Sequence, residues 1–318
     1  MITCNNLIKE PKISLIITYF NLGEYIQDCV LSILKQTYQN FEIIIVNDNS
    51  NQKNTNILNE ISHEKIKKIN LEENCGQLLA FEEGLKNASG EFICMIDADD
   101  ILLPNYLKTL LYAHLNNNFA LITCNHGEIN ENNEIVSYKI QAKSDMKYNQ
   151  IEDLFKINDF FEIKEVKAPF GLWSWNPSSS AMFRKSALEI LKLYPDKKYW
   201  KTGADKVVFS LLHLVGGSAN ITSVNLLYRH HKKNNSQTTL ITGNKKYLCE
   251  SYVKKLIDWN KKLRLDTLKM FNKNQKELIE KYNKINYLRM FFKVIFCINI
   301  KICTKIIKAF VHKIICFK

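Results

Sequence analysis

The sequence predicts an α/β protein: a mostly parallel central sheet flanked by helices, with a helical extension at the C-terminus. Three observations carry this expectation. Strand-length apolar runs alternate with segments of helical spacing through the first hundred residues, each run ends in a polar cluster, and a Lys-rich stretch of helical period follows residue 245. At 318 residues, 46% hydrophobic and 24% charged, the chain is long enough for a sizeable core and excludes collagen-like, low-complexity and wholly disordered readings.

The elements follow in order. Ile13 to Ile17, Phe41 to Val46 and Phe92 to Ile96 are short, nearly continuous and rich in Ile and Val. That composition suits strands buried on both faces of a parallel sheet. Glu24 to Gln36 and Leu78 to Asn87 carry apolar residues at helical spacing, and Ile66 to Leu71 reads as a weaker strand. A helix from Pro104 to about Asn117 and a strand from Phe119 to Cys124 come next. Residues 126 to 170 read as a hairpin and a mobile loop, Ser178 to Arg184 as a returning strand, and Asp205 to Val215 as a helix stopped by Gly216-Gly217. Ile221 to Tyr228 reads as the final strand, and residues 245 to 285 as helical. The expected division is an α/β domain over 1–240 and a helical extension over 241–318.

Nine cysteines, odd in number and without a CxxC pair, suggest neither a disulfide framework nor a zinc ribbon, and favour a reducing compartment. Met1 to Pro11 carries no secretory pattern, so a cytoplasmic protein is expected. The net charge of +12 is uneven: Lys281 to Lys318 holds nine Lys or Arg and no Asp or Glu, leaving +3 for the rest. A near-neutral body with a basic tail argues against nucleic acid and for an electrostatic anchor. In the tail, Lys301, Lys305, Lys308 and His312 share one helical face, and Ile298, Ile302, Ile306, Phe310 and Ile314 occupy much of the other. Its longest charge-free run, Val294 to Ile300, is too short to span a bilayer. The expectation is a basic amphipathic helix lying on anionic lipid at the inner face of the cytoplasmic membrane, a bacterial one by the Lys-, Asn- and Ile-heavy composition of the chain; a helix docked on the body or on a second subunit is the alternative.

The polar clusters are Thr18-Tyr19-Phe20-Asn21, Asn47-Asp48-Asn49-Ser50 and Asp97-Ala98-Asp99-Asp100. In a parallel sheet all three fall at one carboxyl edge, where open α/β sheets bind ligands. An acid-x-acid triplet arises by chance about three times in such a chain, so placement carries the argument. Several carboxylates crowded after a buried strand need a divalent cation or a raised pKa to relieve them, and oxygen ligands suit Mg²⁺ or Mn²⁺.

Ser14 to Asn21, Ser32 to Thr37, Ile45 to Ser50, Asn74-Cys75-Gly76 and the Asp97 cluster, in this order and spacing, resemble the inverting GT-A glycosyltransferases of family 2 over roughly residues 12 to 236. The resemblance implies a GT-A fold, a nucleotide-diphosphate sugar donor (a UDP-sugar), a divalent cation (Mn²⁺ or Mg²⁺), and transfer to a hydroxyl of a surface glycan or lipid-linked acceptor. It assigns Thr18, Tyr19, Asn21 and Glu24 to the nucleotide, Asp48 to the base, and Asn74 and Gly76 to the ribose or diphosphate. Asp97 goes to the ribose or a metal-bound water, and Asp99 to the metal. His231, in Tyr228 to Ser236, matches the family histidine at the metal or diphosphate, with Arg229 and Lys232 as added phosphate contacts. Asp205, at a helix start, becomes the general base, with Asp196 in reserve because Ala204 replaces the usual first acid. Trp173, Trp175 and Ser178 to Ser180 fall on the acceptor side.

The rival readings are nucleotidyl transfer, which lacks a Gly-rich basic loop after the first strand here, and a non-catalytic membrane-bound subunit that binds glycan or nucleotide. A homo-oligomer is left open.

Overall fold

The computed structural model describes residues 10–138, 161–171, 177–232, 234, 239–242, 245–248 and 250–296. The chain divides into two compact units. The first comprises Met1–Val166, Ser174–Glu189 and Lys197–His231; the second comprises Lys167–Trp173, Ile190–Asp196 and Lys232–Lys318.

The first unit opens with β1 (Ile13–Tyr19), α1 (Ile26–Leu34), β2 (Phe41–Asn47), α2 (Gln52–Glu60), β3 (Ile66–Asn70), α3 (Gln77–Asn87) and β4 (Phe92–Asp97). The four strands lie parallel in the order β3-β2-β1-β4. β1 and β4 are buried almost throughout, as runs of Ile, Leu and Met covered on both faces must be. The register sets Tyr19 beside Asn47 and Thr18 beside Asp97, so the three polar clusters leave the sheet at one edge. That arrangement is the one the sequence predicts.

The rest of the unit comprises β5 (Ile101–Leu102), α4 (Tyr106–Leu115), β6 (Leu121–Ile129), β7 (Ile135–Tyr138), β8 (Ile163–Glu165), β9 (Ala181–Arg184), α5 (Ala204–Gly216) and β10 (Ser218–Arg229). β9 runs antiparallel between β4 and β6, and β10 lies parallel to β6, giving a mixed sheet. The main apolar cluster packs α1, α4 and the sheet together around residues such as Ile17, Ile33, Ile45 and Leu110.

Several elements depart from the sequence expectation. β6 continues to Ile129, past the apolar run ending at Cys124. Its buried Asn125 is satisfied by β10, donating to the Thr222 carbonyl (3.0 Å) and accepting from Asn220 (3.0 Å), so hydropathy does not reveal that part of the strand. α2 and β8 were not expected. α2 buries only Leu58, too little to mark a helical period. β7 forms the expected hairpin with β6, and residues 139–160 of the expected loop lie outside the described residues.

In the second unit, β10 is followed by further strands rather than ending the series: β11 (Thr239–Thr242) and β12 (Lys245–Leu248) pair antiparallel. Helix therefore begins at Glu250, not 245, with α6 (Glu250–Lys273) and α7 (Gln275–Phe296). α7 is broken at Asn283, whose φ of 59° and ψ of 162° interrupt the helical ladder. Phe271 packs against Tyr287 and Phe291 at ring separations of 5.4 and 6.0 Å. Buried Asp266 is met by Lys262 at 3.1 Å, Lys269 at 3.6 Å and the Tyr194 hydroxyl at 3.5 Å. No described helix is long and apolar enough to cross a membrane. Residues 297–318 of the expected tail lie outside the described residues.

Candidate functional site

The carboxyl edge is built first from turns. Asn21 takes a left-handed conformation (φ 56°), which Asn tolerates, and its amide donates to the Ser50 hydroxyl at 2.9 Å while its side chain accepts from the Asn51 amide at 2.9 Å. The ends of β1 and β2 are thereby tied together. Tyr19 turns into the core, fully buried, with its hydroxyl donating to the Asn54 carbonyl at 2.8 Å; burial pushes its pKa up to about 12. Its backbone, rather than its ring, borders the edge. Thr18 is half-buried in the strand, and Glu24 is exposed just before α1.

Asp48 is buried and faces the loop before α3. Its two carboxylate oxygens accept from the amides of Cys75 (2.7 Å) and Gly76 (2.8 Å), and Asn74 donates to its carbonyl at 3.2 Å. The loop is thus fixed on the carboxylate. Gly76 needs to be glycine: its φ is 88°, and a Cβ there would lie 2.4 Å from the Cα of Lys201.

Asp97 is held on three sides. Gln77 donates to Oδ1 at 2.9 Å, Ser178 to Oδ2 at 2.6 Å, and the Ser179 hydroxyl accepts from the Asp97 amide at 2.9 Å. Burial first, and then the charge of Asp99, push its carboxyl up to about 7. Asp100 is fully buried and raised well above the carboxylate range, by burial and then by Asp99 and Asp97. Its Oδ1 accepts from the Arg229 amide at 3.1 Å, and its Oδ2 has no hydrogen-bond partner among the described residues. The crowding foreseen in the sequence thus shows as raised carboxyls at Asp97 and Asp100.

Asp99 Oδ2 lies 2.7 Å from Nε2 of His231, whose ring packs on Tyr25 at 4.5 Å. Arg229 stands behind this pair. Its Nε donates to the Asp99 carbonyl at 2.8 Å, its guanidinium reaches the Asn133 side chain and Asp28 (3.5 Å), and it lies over the Tyr25 ring at 5.0 Å. Only 1% exposed, Arg229 is a brace for Asp99 rather than a hand extended to a phosphate.

Asp205 sits in the first turn of α5, after Gly203 in a left-handed turn (φ 77°). It is half-buried, burial raises its carboxyl above the usual range, and it lies near enough to Asp97 to raise that group too. Gln77 joins the two: its side-chain oxygen accepts from the Ala204 amide at 3.3 Å while its nitrogen donates to Asp97. The reserve candidate Asp196 belongs to the second unit, is exposed with φ 45°, and pairs with Lys262. Lys232 is exposed in the same unit. Trp173 and Trp175 lie outside the described residues.

The first unit therefore brings Thr18, Asn21, Asp48, Asn74, Gly76, Asp97, Asp99, Asp205 and His231 to the carboxyl-edge turns and the loops that pack on them. Gln77, Arg229 as a brace, and the hold of Ser178 and Ser179 on Asp97 were not foreseen. Position next to Gly76 was the only sequence signal for Gln77. No group of three or more His, Cys, Asp or Glu among the described residues forms a metal cage. Asp99 and His231 offer one carboxylate and one imidazole, a donor set that fits Mn²⁺ or Mg²⁺ when substrate phosphates complete the shell.

Residues 14–191 match the family model described as Glycosyl transferase family 2. The chain is 28% identical over 193 residues to glycosyltransferase GlyA of Streptococcus pneumoniae, covering 60% of this chain and 27% of that protein. It is 34% identical over 139 residues to WfgD of Escherichia coli, a UDP-Glc:alpha-D-GlcNAc-diphosphoundecaprenol beta-1,3-glucosyltransferase, covering 44% and 54% respectively. The chain thus spans about a quarter to a half of these two relatives. TarS residues 1–349 of Staphylococcus aureus, solved with UDP-GlcNAc, superpose with a TM-score of 0.56 at 16% identity, covering 89% of this chain and 79% of that one. That likeness is one of fold, the GT-A fold.

Proposed function

The chain belongs to glycosyl transferase family 2, and on that premise we propose that it is an enzyme moving one sugar, with inversion, from a UDP-sugar to a hydroxyl of a glycan or lipid-linked acceptor in cell-surface polysaccharide assembly. The observation that carries this reading is the set of groups at the carboxyl edge: the Asp48-bound loop, Asp97, the Asp99–His231 pair, and a half-buried Asp205 close to Asp97. WfgD is named for a UDP-Glc donor and a diphosphoundecaprenol-linked acceptor, and TarS has been crystallised with UDP-GlcNAc and with UDP; both favour a UDP-sugar here.

Asp205 acts as the base. Its carboxyl, raised by burial, suits proton uptake nearer neutrality than a free aspartate does. It takes the proton of the acceptor hydroxyl, whose oxygen bonds to the anomeric carbon from the face opposite the leaving group. The bond from that carbon to the phosphate oxygen breaks, and its electron pair departs with the nucleoside diphosphate. Asp99 and His231 would hold Mn²⁺ or Mg²⁺, which would supply a Lewis acid to offset charge on the diphosphate. Asp97 contacts the ribose or joins the metal shell, Asp48 and the Asn74–Gly76 loop shape the nucleotide pocket, and Trp173 and Trp175 serve the acceptor. The enzyme works at the inner face of the bacterial cytoplasmic membrane, its basic 297–318 tail on anionic lipid.

The test is a screen of nucleotide sugars for Mn²⁺-dependent thermal stabilisation, followed by transfer assays. Asp99→Ala is expected to abolish transfer with the fold intact, and Asp205→Asn to lower it by about 10²–10⁴-fold while donor binding survives. Full transfer by both variants overturns the reading. Donor binding without transfer in the unaltered protein turns it to a binding subunit, a possibility Ala204 keeps in view.

A further inference from the structure

α7 presents two faces. Beyond its break at Asn283, Tyr287, Met290 and Val294 are buried at 5%, 4% and 0% exposure, one helical face packed inward. On the opposite face Ile285, Leu288 and Phe292 stand 66%, 39% and 50% exposed. A single exposed apolar side chain is ordinary, but three at i, i+3 and i+7 form a stripe. Lys284 flanks the stripe on one side and Arg289 and Lys293 on the other, all exposed. No acid occurs from Lys281 to the end of the sequence.

We propose that this face of α7 is a docking surface for an anionic phospholipid bilayer, with Ile285, Leu288 and Phe292 inserted between headgroups and Lys284, Arg289 and Lys293 at the phosphates. The charge pattern selects this occupant. A two-fold dimer through the face would set its three cations against their own copies, because a two-fold interface pairs a surface with itself. The 297–318 segment, with five Lys and no acid, meets the same repulsion. A negatively charged interface meets none, and it accepts apolar side chains to a shallow depth between cationic flanks. The surface is separate from the tail, and neither its existence nor its test requires sugar transfer.

The experiment is co-sedimentation of the full chain with phosphatidylcholine vesicles and with vesicles containing about 30% phosphatidylglycerol, without nucleotide sugar. Three full-length variants accompany it: Ile285→Gln/Leu288→Gln/Phe292→Gln, Lys284→Glu/Arg289→Glu/Lys293→Glu, and a tail variant with Lys301, Lys305, Lys308, Lys313 and Lys318 changed to Gln. Circular dichroism checks folding; all changed positions on the helix are exposed, and the charge variant replaces the apolar one if the latter misfolds. The expected result is binding of the unaltered chain to anionic but not neutral vesicles, and a loss of about tenfold or more in either face variant, with the tail variant keeping measurable binding. Face variants that sediment like the unaltered chain overturn the proposal, as does an unaltered chain that ignores anionic vesicles. A fall in molar mass by light scattering with vesicle binding unchanged overturns it too, in favour of an interface between copies.

Discussion

Gln77 spans the two halves of the site with one side chain. Its amide nitrogen serves Asp97 and its oxygen the Ala204 amide at the start of α5, so the donor-side acid and the helix carrying Asp205 share a single link. A hydrogen bond to a charged group contributes roughly 1.5–3 kcal/mol. Gln77→Ala is therefore expected to lower kcat about 10- to 100-fold while shifting the unfolding midpoint by only a few degrees, as steady-state kinetics and thermal melts would read. Arg229 is a different case. It is buried and bonded to the Asp99 carbonyl, the Asn133 side chain and Asp28. Arg229→Met leaves those acceptors behind and is expected to cost about 3 kcal/mol in urea denaturation; Arg229→Lys restores little, since an ammonium cannot reproduce the fork.

At the level of elements, the site depends on how loops close onto helix starts. The loop before α3 is pinned by Asp48 and passes so close to Lys201 that only a residue without Cβ fits at position 76. Gly76→Ala combines a left-handed backbone with a 2.4 Å contact to the Lys201 Cα, and a loss of about 2–4 kcal/mol is expected by chemical denaturation, with weaker nucleotide binding. The parallel strands were legible because continuous Ile and Val runs have one economical placement. α2 and the polar end of β6 were not, because partners distant in sequence satisfy their polar groups or bury their few apolar ones.

For the whole molecule, the titrating groups pull in opposite directions. Burial depresses His114 to about 3, so its contribution is present above about 6.5 and is lost as pH falls toward 3. Glu42 has a pKa of about 2: burial opposes its charge, but hydrogen bonds from Lys12, Ser14 and Ser89 win, and its contribution is lost from about 4.5 downward. Asp97, raised to about 7, acts in the reverse sense: its contribution is complete below about 3.8 and disappears as pH rises through 7, with Asp100 and Asp205 shifted the same way. Between about 4 and 6.5 the three raised carboxyls outweigh the one histidine, so stability falls as pH rises. The metal-free protein is expected to be most stable near pH 4 and weaker at 8, as urea titrations across pH 3 to 8 would show. Asp97→Asn removes one opposing group, so its stability relative to the unaltered chain should rise by up to about 1.4 kcal/mol per pH unit between about 4 and 7.

By itself the sequence determined the alternation of strands and helices, the edge at which Asp48, Asp97 and Asp99 emerge, and the family to which those motifs belong. These follow from local periodicity and strand direction, which the order of residues carries directly. Only the tertiary structure decided that Arg229 faces inward, that Tyr19 belongs to the core, that Gln77 and the serines at 178 and 179 hold Asp97, and that Ile285, Leu288 and Phe292 stand exposed on one face of α7. Each of those depends on which distant segment arrives to meet a side chain, and a buried polar group is acceptable only once that partner is in place.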